Sequence, residues 1–203
     1  MKFFKWRVFI ITSIVCLLPI LLGIALWDKL PDVMAIHFNF YGVADNFAPK
    51  GCVVFGLPVL MVALQAFCCF MNDTNVQKNK EIKKFEAVTK WIIPCVTVFL
   101  YIVTLGYSLG WDLDIRKAVA FIVGVLFIVT GKYLPEFDSI NGFNIEKEKA
   151  RKINRFIGYE TVIMGILFLI SILLPPVCLM ICLFLLIPYA IISIVYGIII
   201  GRK

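Results

Sequence analysis

Val8–Trp27, VFIITSIVCLLPILLGIALW, is the stretch whose reading decides the fold. At 1.5 Å per helical residue it covers a hydrocarbon core about 30 Å thick. A secretory signal is the competing reading, but its apolar core would run only about 7–15 residues and end at a small-x-small cleavage site. This run is longer, and Gly23-Ile24-Ala25-Leu26-Trp27 is a poor site, so the sequence predicts an uncleaved first membrane helix. Pro19 predicts a kink in it, because a mid-helix proline frees a carbonyl and crowds the preceding turn.

Five further apolar runs follow, at 53–71, 91–111, 118–134, 156–174 and 177–200, the last two separated by Pro175-Pro176. Apolar residues make up 62% of the chain and charged residues 16%, against roughly 25% charged in soluble domains. The expectation is an all-α integral membrane protein, one membrane domain of six transmembrane helices over 1–203. A net charge of +7 invites a nucleic-acid reading, but in a membrane chain the placement of charge is read first. With the N-terminus inside, the inner segments hold sixteen of the twenty Lys and Arg and the outer segments four. That asymmetry predicts cytoplasmic termini, the lipid bilayer as the basic residues' surroundings, and no nucleic-acid partner. Trp6 and Trp27 bracket the first span and Trp91 and Trp111 the third, as indoles at headgroup level do.

Two polar stretches stand out. The loop 28–52 contains Leu30–Lys50, LPDVMAIHFNFYGVADNFAPK, with the chain's one histidine. If extended, it places His37, Asn39 and Tyr41 on one face and Phe38 and Phe40 on the other. The loop 135–155 opens with Leu134-Pro135-Glu136, followed by Ile140-Asn141 and Phe143-Asn144. The first loop has Leu30-Pro31-Asp32, then Ile36-His37 and Phe38-Asn39. Each motif follows the first of three spans. The chain thus divides into halves, 8–111 and 118–200, whose motif loops fall on opposite faces, an inverted-topology repeat. The bland reading is that Leu-Pro simply stops helices.

The first motif, LP-x4-I-HF-N-x2-G-x2-D-x4-K, carried by Leu30, Pro31, Ile36, His37, Phe38, Asn39, Gly42, Asp45 and Lys50, resembles the signature of the SdpI family. These are bacterial multi-span proteins named for an immunity protein against the sporulation-delaying-protein toxin. The second motif keeps Gly131, Leu134, Pro135, Asn141, Arg155, Phe156 and Gly158, lacks the Gly-Ile-Arg-Thr-Pro-Trp-like segment, and has Ala150 and Asn154 at the tryptophan and histidine positions. The resemblance implies a bacterial plasma-membrane protein conferring resistance to a peptide toxin. It also implies signal transduction through a cytoplasmic regulator at the basic inner loops.

Candidate ligand-binding residues are His37, Asn39, Tyr41, Asp45 and Lys50. His37 sits near Asp45 or Asp32, where an imidazole exchanges protons, binds a cation or reads a ligand, and Asp45 and Lys50 either pair across the loop or contact a bound peptide. Local hydrogen bonding that only fixes the loop is the plainer role. Glu160 is the carboxylate placed inside a span, where acids are costly; snorkelling to the nearby cytoplasmic surface or a local ion pair with Arg155 is the expected explanation. The seven cysteines lie mostly in apolar runs, where cysteine is a small hydrophobe, and no metal site or cofactor is expected. No hydrolase elbow, zinc-protease helix or P-loop occurs, so an enzyme is not expected. The alternative to an immunity protein is a small transporter or flippase with its site between the halves.

Overall fold

A computed structural model describes residues 4–74, 80–138, 140 and 145–202. Among them, six helices are long and apolar enough to cross a membrane: Trp6–Ala25, Cys52–Asp73, Phe85–Ser108, Ile115–Glu136, Lys147–Ser171 and Pro176–Gly201. This is an all-α membrane protein carrying one small sheet. The chain forms two compact units, Met1–Ile115 and Arg116–Lys203.

In the first unit, helix α1 (Trp6–Leu17) is interrupted at Leu18, itself in helical conformation, and α2 (Pro19–Ala25) resumes with proline in its first position, where a kink is expected. Trp27–Lys29 is a 3-10 turn. A hairpin of β1 (Val33–Phe38) and β2 (Ala44–Pro49) follows. A π turn, Cys52–Gly56, leads into α3 (Leu57–Thr74), and α4 (Lys80–Ser108) completes the unit. Helices α1, α3 and α4 pack on one another.

Two prolines shape this packing. Pro58 has no N–H for the carbonyl of Val54, four residues back. The hydroxyl of Tyr101 on α4 donates to that oxygen at 3.2 Å. Gly23 makes room, since a Cβ there would overlap the Tyr101 hydroxyl and lie 2.7 Å from Val54 Cγ1. Pro94 likewise frees the carbonyl of Lys90, and Gln65 Nε2 donates to it at 2.9 Å. Each orphaned acceptor is met by a buried side chain, as a water-free interior requires. Around the first lies a core of Leu30, Met34, Val53, Val54, Tyr101 and Leu105.

The second unit contains α5 (Ile115–Tyr133), a 3-10 turn at Leu134–Glu136, α6 (Lys147–Ser171) and α7 (Pro176–Arg202). Helices α5 and α6 touch through glycine. A Cβ on Gly131 would lie 2.7 Å from the Gly158 carbonyl, and one on Gly165 2.7 Å from the Gly124 carbonyl. Both helices thus present glycine at seven-residue spacing, so their backbones close on each other as small residues allow in membranes. Ala120, Met164, Phe168 and Cys182 form the unit's core.

The largest departures from the expected boundaries are at the starts of two spans. The third span starts before Trp91 and the fifth before Phe156, because the Lys- and Glu-rich segments ahead of them are helical. Lys, Glu and Ala are good helix formers whatever their hydropathy. The polar loop expected over 135–155 is therefore shorter, since α6 begins at Lys147.

Candidate functional site

The hairpin is built from its base. Leu30 precedes proline and is extended (φ −81°, ψ 139°), as the pyrrolidine ring demands of its predecessor. This ends the 3-10 turn and launches β1. The strands pair antiparallel, with Val33 opposite Pro49 and Ala35 opposite Phe47. His37 then faces Asn46 and Phe38 faces Ala44, so Ile36 bulges from β1 and Asp45 from β2. The two bulges offset, and register is restored at the turn. There the Asn39 side-chain oxygen accepts from the N–H groups of Tyr41 (2.9 Å) and Val43 (3.1 Å). Gly42 takes a φ of +76°, a conformation that favours glycine.

The inner side is anchored. Leu30, Met34 and Ala35 are buried, and the Phe38 ring meets Tyr107 of α4 edge-on at 4.8 Å. Away from these anchors the hairpin carries apolar surface that is uncovered: Phe40 and Tyr41 at the tip are 71% and 73% exposed, and Val33, Ile36, Val43 and Phe47 are also exposed. Within it His37 Nδ1 lies 2.5 Å from Asp45 Oδ1, both side chains being accessible. At the base Lys50 Nζ is 3.1 Å from Asp32 Oδ1 and 5.0 Å from the Trp27 ring centroid, and the Lys50 N–H donates to the Asp32 carbonyl at 2.8 Å.

Three expectations are corrected. Asp45 and Lys50 do not pair with each other; the Asp45 bulge turns that carboxylate to His37, and Lys50 turns to Asp32 at the hairpin mouth. His37, Asn39 and Tyr41 do not form one strand face, because β1 ends at Phe38 and the Ile36 bulge interrupts the alternation. Glu160 is not held by Arg155. Ser193 of α7 donates to Glu160 Oε2 at 2.9 Å, whereas Arg155 donates from Nε to the Tyr159 hydroxyl at 3.2 Å.

Of the second-motif residues, Leu134 and Pro135 lie in the 3-10 turn. The Pro135 ring closes on Gly158, where a Cβ would stand 2.8 Å from Pro135 Cδ. Asn154, at the expected histidine position, donates to the Phe137 carbonyl at 2.9 Å. Asn141 lies outside the described residues.

A second polar cluster escaped the sequence reading. Asp73 and Lys90 form an ion pair whose side chains are 4% and 2% exposed. Asp73 Oδ2 also accepts the Lys5 backbone N–H at 2.9 Å, and Lys5 Nζ reaches Glu86 at 3.3 Å. Gln65 joins it, donating to Thr12 Oγ1 at 2.8 Å as well as to the Lys90 carbonyl. A signal existed: Gln65, Cys69 and Asp73 recur every fourth residue, a polar line on one helical face. The cluster ties the start of α1 to α3 and α4 at the end of the unit opposite the hairpin.

Compared with known families, the chain matches the profile of a domain of unknown function, DUF1648, over residues 14–62. The match takes in the second half of the first span, the whole hairpin and the start of α3. No curated protein and no solved structure matches the chain.

Proposed function

We propose that this chain is a bacterial membrane immunity protein that captures a membrane-active peptide toxin through the hairpin, with the hairpin outside and both termini cytoplasmic. One observation carries the reading. The hairpin is fixed to the bundle by Leu30, Met34 and Phe38, and it leaves an aromatic and aliphatic rim open around His37–Asp45. An exposed apolar patch marked out by polar groups is the usual character of a recognition surface. Rim rings suit an apolar peptide, and the imidazole–carboxylate pair supplies the polar contact that fixes its orientation. Sixteen of twenty basic residues on the other side support the orientation. The exposed Lys147 and Arg151 at the start of α6 suit a cytoplasmic regulator.

Expressing the chain alone in a toxin-sensitive bacterium tests the reading. Protection is expected, and His37→Ala and Phe40→Ala are expected to abolish it at unchanged protein level. Full protection by both variants would overturn the hairpin as the recognition element.

A transporter is the second reading, favoured by Glu160, a half-buried carboxylate in a span bonded to Ser193. It fits a repeat in which each unit supplies three spans. Substrate flux in proteoliposomes, lost with Glu160→Gln, would establish it.

A further inference from the structure

Beneath the hairpin, where β1 and β2 meet α3 and α4, lies a cleft of about 370 Å³, within the range of small-ligand sites. Ile36 and Phe38 of β1, Cys52 and Gly56 of the π turn, Leu60 of α3 and Thr104 of α4 line it. Two departures from regular structure meet there. Ile36 is the bulged residue of β1, and Cys52–Gly56 is the π turn; both kinds of irregularity concentrate at functional sites. The lining offers a ligand almost nothing polar, since the Thr104 hydroxyl already donates to the Leu100 carbonyl at 2.8 Å.

We infer that this cleft holds one acyl chain of a bilayer phospholipid. The occupant follows from continuity with the surface around it. Gly56 and Leu60 are exposed on a membrane-spanning helix, and the same face continues through Leu64 and Phe67, also exposed. The medium along that face is hydrocarbon. A chain moving from bilayer to cleft gains no hydrophobic energy, because lipid tails are as apolar as leucine. It gains contacts instead, since an empty cleft leaves wall atoms without partners. The chain therefore exchanges with bulk lipid while keeping the cleft filled, and its occupancy holds the exposed Ile36 side chain in an apolar setting.

Gly56 makes the inference testable, because a Cβ added there meets nothing within 4 Å. Protein in vesicles of phosphatidylethanolamine and phosphatidylglycerol, with a photoactivatable group in one acyl chain and no peptide present, is irradiated and its adducts mapped. Adducts at Ile36 and Leu60 are expected to exceed those at Phe67 and Phe184, lipid-facing residues outside the cleft. Gly56→Phe is expected to lower Ile36 labelling to the Phe184 level while the unfolding temperature holds. Should that variant unfold, Gly56→Leu serves in its place. Equal labelling at Ile36 and Phe184 in the unmodified protein, or Ile36 labelling unchanged by the filled cleft, would overturn the inference. So would labelling of the cleft by an added photoactivatable apolar peptide in vesicles whose lipid leaves it unlabelled. Because the lipid arm contains no toxin, its result is independent of the immunity reading.

Discussion

Tyr101 holds a position that neither its size nor its polarity alone explains. Its hydroxyl replaces the backbone donor that Pro58 removes, and Gly23 leaves the space in which it does so. Tyr101→Phe keeps the ring and orphans the Val54 carbonyl, a loss of about 1–3 kcal/mol, to be read from thermal unfolding in detergent micelles. Gly23→Ala is expected to cost at least as much, and adding Tyr101→Phe to it should cost less than the two separate losses together. Independent, additive effects would show that the glycine and the hydroxyl do not share one space. The Asp73–Lys90 pair invites a similar cycle. Lys90→Met or Asp73→Leu alone strands a buried charge at a cost of about 3–5 kcal/mol, whereas the double variant recovers most of the stability because both desolvation penalties go. Unfolding midpoints of the three variants decide this.

The hairpin is the element on which the proposed recognition rests, and its turn is expected to loosen without unfolding the bundle. Gly42 lies at positive φ at its turn, so Gly42→Val should strain the tip by about 1–2 kcal/mol. Amide exchange is expected to quicken in β1 and β2 while α3 and α4 stay protected; equal quickening throughout would mean that hairpin and bundle unfold together. Elements also show what was legible beforehand. Spans were, because twenty apolar residues have few other uses. Helical starts ahead of Trp91 and Phe156 were not, because Lys147–Arg155 looks like loop to a hydropathy scale while its backbone favours helix. His37 and Asp45 can be picked out in the chain as candidates, but their pairing needs the Ile36 and Asp45 bulges, which no alternation of side chains announces. The Gln65–Asp73 line was written in four-residue steps and hidden by the surrounding leucines and phenylalanines.

At the scale of the whole molecule, the two units close by different means: the first through side chains that replace missing backbone donors, the second through glycines that bring two backbones together. Gly131→Val would push a branched side chain against the Gly158 carbonyl and Val162. It should destabilise the second unit by about 1–3 kcal/mol, measured by proteolysis of α5 and α6 in micelles, with the first unit's fragments unaffected. Topology has its own check: a cysteine at Phe40 in a cysteine-free background should react with a membrane-impermeant maleimide in intact cells, and one at Lys149 only after the membrane is opened. The path of the chain through the hairpin has a mechanical side as well. Only a 3-10 turn and Leu30–Asp32 separate the first span from β1, β2 ends at Pro49, and Lys50 is already helical. The Lys50–Asp32 contacts tie the two ends of the hairpin together at one point, so a force applied at Phe40 or Tyr41 has a short covalent path to the first two membrane helices.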